Sequence, residues 1–276
     1  MPKFGIHLIC LCLLLSSLNQ LNAQTWFITP AVGYAWGAFS PPLGSNNING
    51  NLENNNTTLG KGLYADLVVG YMFNRHLGVM LGGSFLFGEE VQVSRTEVGD
   101  ELVNLTSQAN KFQLVPALII STGGERTRLY SRVGLVFPVT GRTLGKSQVI
   151  TSGVETLTEL KINGGFSVGF HGGLGVAVAT SEHISLIAEI QLINLNIFRN
   201  KAEVQELSIN GQDVLPGLNT FQREIDYKSE ISPDDNIETN PNVNLDQPRD
   251  ALTEATPFSS LGINIGVMFR LNSPQE

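Results

Sequence analysis

The chain is almost without cysteine, poor in charge, and has no long apolar run beyond its opening. Only Cys10 and Cys12 occur in its 276 residues, both inside the segment MPKFGIHLICLCLLLSSLNQLNAQ. That segment has Lys3 as a small positive n-region and an apolar stretch from Ile6 to Leu15. Leu21-Asn22-Ala23 then offers a cleavage site before Gln24. The apolar stretch is too short for a membrane helix, so residues 1–23 are expected to be a cleaved secretory signal. The mature chain, 24–276, then has no thiol, which excludes disulfides, thiolate catalysis and cysteine metal sites. Charged residues make up 15% of the chain, against roughly 25% in ordinary soluble domains. Without Lys3, 16 basic residues against 25 acidic ones leave a net charge of −9. An acidic surface argues against nucleic acid as a partner. No later stretch approaches the ~18 uninterrupted apolar residues of a membrane helix.

What is abundant is glycine, at 29 residues, and alternation. Period-2 apolar patterning predicts eight strands, at 25–37, 62–74, 76–88, 111–120, 128–139, 165–179, 183–195 and 259–271. One face of these strands is bulky: Leu67, Val79, Leu118, Val133, Leu174, Leu186 and Ile265 are examples. The links alternate in length. Asn74-Arg75-His76, residues 121–126 and residues 180–183 are short, whereas 38–61, 89–110, 139–164 and 198–258 are long and polar. Short turns at one end, long loops at the other and an even strand count are the pattern of an outer-membrane barrel. The expected fold is all-β: a single transmembrane antiparallel up-and-down barrel with short periplasmic turns and long extracellular loops. Alternation around Ser152-Gly153 suggests a hairpin rising above the membrane, which leaves a ten-stranded count open. Pro30, Pro116 and Pro138 each lack a ladder donor, so a bulge or strand end is expected at each.

Alternation alone does not say which face meets lipid; the opposite face decides. A soluble barrel would carry Lys, Glu and Thr there. This one carries Gly70, Gly78, Gly82, Gly134, Gly173, Gly175, Gly262 and Gly266 with Ala31, Ala117 and Ser84. Small residues suit the narrow interior of an eight-stranded barrel. The bulky face is then expected to meet outer-membrane lipid, with Trp26, Trp36, Tyr71, Phe73 and Phe269 in aromatic girdles.

The last strand contains NIGVMFRL. Asn264, Gly266, Phe269 and Leu271 match the polar-x-Gly-x-x-aromatic-x-apolar pattern at the end of outer-membrane barrels. With FQLVPALII, a proline-containing strand common among relatives, the mature chain resembles the OmpA/OmpX-type eight-stranded outer-membrane barrel domain family. The resemblance implies that these four residues form the C-terminal signal read by the barrel-assembly machinery, and that the protein lies in the outer membrane of a Gram-negative bacterium. Two departures stand out: Asn272–Glu276 follow the signal, and no C-terminal periplasmic domain is expected, so a peptidoglycan-binding role is not implied.

Projected onto the barrel, Asp66, Lys111, Gln113, Arg132, His171, Glu189, Gln191, Asn264 and Arg270 fall on the inner face. Buried charge must be paired, so Asp66 and Glu189 are expected to neutralise Arg132 and Arg270 in a structural network. A gated ion path is the alternative. A lipid or ester hydrolase centred on His171, with Glu189, is another, but Ser167 lies too far along its strand for a direct bond. Residues 232–246 carry carboxylates and amides without the spacing of a Ca²⁺ loop. Gly172-Gly173-x-Gly175 has no helix after it to make a phosphate site. No catalytic residue, metal or cofactor is therefore expected. The expected function is structural, or interaction with an extracellular or envelope protein through the long loops. An exported soluble barrel, extractable without detergent, is the remaining alternative.

Overall fold

The structure, a computed structural model, describes residues 25–38, 42–122 and 124–271. The signal expected at 1–23 and the tail Asn272–Glu276 lie outside the described residues. Eight strands close an antiparallel barrel. They are β1 (Thr25–Gly37), β2 (Gly62–Met72), β3 (Leu77–Gly88), β4 (Glu101–Ser121), β5 (Thr127–Thr151), β6 (Gly169–Ala179), β7 (Ile184–Asn194) and β8 (Ser260–Arg270). Each pairs with its chain neighbour, and β8 returns to β1 through pairs such as Val32↔Ile265. Closure satisfies the backbone groups that hydrocarbon cannot.

The bulky face points outward. Val32, Leu67, Val133, Leu174 and Ile265 are each more than half exposed, at 59, 54, 63, 69 and 60%. Trp26 and Trp36, ten residues apart on β1, mark the two rims. Ten residues at 3.3 Å along a strand tilted by about 40° rise about 25 Å, the height of a barrel's apolar band. Trp26 packs at a tilt against Tyr71 at 5.0 Å and Tyr71 edge-on against Phe73 at 5.4 Å at the turn end, while Phe85 and Phe87 pair at 4.5 Å at the other.

The interior departs from the expectation that small residues crowd the axis. Two apolar clusters of large side chains fill it. Phe27, Val68, Met80, Ile119, Tyr130 and Ile187 form the lower one. Tyr64, Leu86, Val136, Ile193, Leu195 and Phe258 belong to the upper one. The glycines provide the room: Gly70 is paired to Phe27 and Gly175 to Tyr130, and a Cβ on either glycine would overlap the ring opposite.

The prolines behave differently from one another. At Pro30 and Pro116 the ladder skips two pairs on one side and resumes in the same register, with no bulge. Only beside Pro138 does the register shift: Gln113 faces Pro138 and Phe112 faces Thr140, which leaves Val139 as the bulged residue.

The long links are strands for much of their length. β4 starts ten residues before the expected 111, and β5 runs twelve beyond 139. Their upper halves pair with each other and continue sideways into an outer sheet. Beyond β4 come Val91–Val98, Gly44–Ile48 and Asn51–Asn55; beyond β5 come Val154–Gly164, Asn196–Ile209, Glu224–Lys228 and Arg249–Leu252. The hairpin expected at Ser152-Gly153 is present, so the extra strands lie above the barrel and the closed barrel keeps eight. Asn49-Gly50, Ser152-Gly153 and Asn210-Gly211 all have positive φ at both residues, the requirement of tight two-residue hairpin turns.

Candidate functional site

Between the two apolar clusters lies a belt of polar side chains, held there because their positions alternate with lipid-facing residues on six different strands. Arg132 on β5 forms an ion pair with Glu189 on β7, with side chains 11% and 0% exposed. Asn264 on β8 donates from Nδ2 to Asp66 Oδ2 on β2 at 3.0 Å. His171 on β6 and Gln113 on β4 line the same small cavity as Asp66 and Arg132. Removing either member of the ion pair would strand a desolvated charge, so the pair acts as a fastener across the lumen.

Not every residue expected in this network joins it. Arg270 sits at the turn end and donates from Nη2 to Ser185 Oγ at 2.7 Å. It is partnered by a hydroxyl instead of Asp66 or Glu189, because its place at the end of β8 carries it to the turn-side rim. Lys111 lies above the belt, 2% exposed, with its ammonium 4.6 Å from the centroid of the Phe258 ring. Phe258 itself is not among the residues expected inside the barrel. It enters from the last long link, fixed by its N–H bond to Leu195 O at 2.8 Å, and Leu59 enters beside it through an N–H bond to Pro257 O at 3.0 Å. Neither follows a strand alternation, so no periodic signal marks them.

The space left inside the belt is small. Two cavities of about 20 Å³ each adjoin Asp66 and Arg132, room for about one water molecule apiece. Ser167 Oγ donates to Gly165 O at 3.4 Å within its own loop, and Glu189 serves Arg132. No nucleophile–base hydrogen bond to His171 is formed among the described residues, and no group of three or more His, Cys, Asp or Glu there could hold a metal ion.

Of the residues in the C-terminal pattern, Asn264 is 1% exposed in the belt and Gly266 packs against Ala31 on β1. Phe269 and Leu271 face outward at 41 and 56%. The polar and small positions thus point to the lumen and the bulky ones to lipid.

Residues 8–228 match the family model described as "Outer membrane protein beta-barrel domain". No curated protein matches the chain. Among solved structures, it is similar to a major outer membrane protein from Thermus thermophilus, at 12% identity and a TM-score of 0.44, over 90% of this chain and 100% of that one. It is also similar to Neisserial surface protein A, at 10% identity and 0.38, over 90% and 98%. A third is Ail, the attachment invasion locus protein of Yersinia pestis, at 11% identity and 0.29, over 90% and 97%.

Proposed function

The chain belongs to the outer membrane protein β-barrel domain family, and from that premise we propose that it works as a rigid surface-interaction module. In this reading the barrel is an anchor in the outer membrane of a Gram-negative bacterium, reached by a cleaved signal. The barrel-assembly machinery reads Asn264, Gly266, Phe269 and Leu271, and an extracellular or envelope protein docks on the outer sheet. Neither catalysis nor nucleic acid is part of the role.

The observation that carries this reading is that the long links are built as paired strands. A solvated loop has no need of a nine-strand sheet with tight hairpin turns. A preorganised surface lowers the ordering cost of binding a partner. Its hairpin edge also carries apolar residues well above the lipid band: Leu52 is 71% exposed, with Ile48 and Val98 at 44% nearby on adjoining strands.

Site-specific photo-crosslinking in intact cells tests it. A photoreactive residue at Leu52 or Val98 is expected to yield a discrete protein adduct that one at lipid-facing Leu67 does not. Equal labelling at all three positions, or none at the outer two, would remove the surface-interaction reading.

A further inference from the structure

Above Val136, strand β5 loses one neighbour before it gains the next. Toward β6 its ladder runs up to Val136↔Gly169 and resumes only at Thr143↔Ile162, with the outer strand Val154–Gly164. Residues 137–142 and 163–168 therefore face each other without a ladder pair. At 3.3 Å per residue the seam is about 20 Å long. The sequence provides its causes. Pro138 has no N–H, the bulge at Val139 bends β5, and Gly165 turns its N–H away to Phe198 O at 2.7 Å. This is why β6 begins at 169 and not at the expected 165.

Behind the seam lies a cavity of about 110 Å³, and both edges of the seam line it, through Pro138, Gly141 and Gly164 among others. Its inner wall is apolar, with Leu59, Ile197 and Phe258, and no Asp or Glu lines it. At its inner end is Lys111, whose Nζ is buried with no hydrogen-bond partner. Arg142 and Arg199 stand at the rim, and Arg199 is already paired to Glu254 at 3.3 Å. Outside, the seam is flanked by Phe166, Val139 and Phe198, exposed at 84, 58 and 51%. The seam starts ten residues above Thr127 at the turn, and a membrane strand spans about 9–11 residues. Its lower end therefore lies at the outer edge of the apolar band, at the headgroup level of the outer leaflet.

We propose that this cavity binds the head of a long-chain carboxylate entering sideways from the outer leaflet, its carboxylate on Lys111 and its acyl chain leaving through the seam beside Val139 and Phe166. A buried cation without an anion is an unsatisfied charge, and a ligand carboxylate completes it as a charge-assisted hydrogen bond. The cavity is smaller than the ~150 Å³ hole that takes a benzene, so it holds the head and first few carbons while the rest of the chain stays in lipid. One buried cation matches one singly charged head; a glycerophosphate head is bulkier and carries its charge on several oxygens.

The test uses the full protein in nanodiscs of a zwitterionic phospholipid, with a spin-labelled stearic acid as probe. The immobilised component of its spectrum reports binding, and the matching spin-labelled alcohol and lysophosphatidic acid serve as comparison probes. Binding of the acid is expected to be at least tenfold tighter than of the alcohol, to fall at least tenfold in Lys111→Met, and to survive in Lys111→Arg. Because the described residues contain no cysteine, Thr140→Cys can be alkylated selectively at the seam. The bulky adduct is expected to abolish binding that the unlabelled variant keeps, which decides the matter should Lys111→Met fail to fold. Equal binding of acid and alcohol, or undiminished binding in Lys111→Met or the adduct, would overturn the proposal. Tighter binding of lysophosphatidic acid would overturn the carboxylate assignment.

Discussion

At the scale of single residues, the barrel interior is governed by two rules that make different predictions. Charge is the first. Glu189 is fully buried against Arg132, so Arg132→Met leaves a carboxylate without its counter-ion. Breaking a buried pair from one side costs about 3–5 kcal/mol, whereas replacing both partners by apolar residues is often neutral. Arg132→Met is therefore expected to lower the urea midpoint of the vesicle-inserted barrel sharply, and adding Glu189→Leu to restore much of it. Volume is the second rule. A Cβ at Gly70 would overlap the ring of Phe27, and overpacking of this kind costs about 1–3 kcal/mol. Gly70→Ala should be destabilised by that amount in the same titration. The double variant with Phe27→Leu should be closer to wild type than Gly70→Ala alone, because the smaller side chain vacates the contested space. Additive losses would mean that Gly70 is needed for something other than Phe27.

At the scale of elements, the lipid-crossing part of each strand is legible in the sequence because one physical demand repeats along it. Leu67, Val133 and Ile265 have to alternate with lumen residues, and period 2 records that directly. The glycines are equally visible, but their meaning is not: Gly70 and Gly175 mark sockets for large rings, and the rings, Phe27 and Tyr130, sit on the partner strand at no fixed sequence distance. The outer sheet is less legible because both of its faces meet water, so no face is forced to be apolar and alternation fades. Arg132, Glu189 and Asp66 fall together by virtue of their shared face. Lys111 and Arg270 share that face too, but at other heights, and face alone carries no height. The segment after Glu224–Lys228 is held by charge instead of a core. Lys228 Nζ donates to Asp235 Oδ1 and Asp250 Oδ2, each at 2.8 Å, and Ser232 N–H donates to Asp235 Oδ2 at 2.6 Å. The bond from Lys228 pulls the Asp235 carboxyl down to about 2, and the bond to Asp235 pushes the Lys228 ammonium up to about 12. The depressed carboxyl stabilises the fold above its ordinary value near 4, an effect lost as pH falls through about 2. The raised ammonium stabilises it below its ordinary value near 10.5, an effect lost as pH rises through about 12. A nitroxide on Val243→Cys is thus expected to show constant restricted motion between about pH 4 and 10, and loosening toward pH 2 that Lys228→Met shows already at neutral pH.

At the scale of the whole molecule, what matters for transport is that the obstacles lie in series. An ion entering from outside meets Leu59 and Phe258, then the Arg132–Glu189 belt, then the rings of Phe27 and Tyr130. Large side chains close each apolar layer, and the two belt cavities of about 20 Å³ are too small to form a water column. Conductance through barriers in series is set by the worst of them, so opening one layer changes little while the other stands. The wild-type barrel in a planar bilayer is expected to show no steps above the bare membrane. Phe258→Ala and Tyr130→Ala should each remain silent, and only the double variant should conduct. Steps in the wild type would instead place an ion path through the lumen and revive the gated-pore reading. Steps in Phe258→Ala alone would show that the lower cluster is no seal.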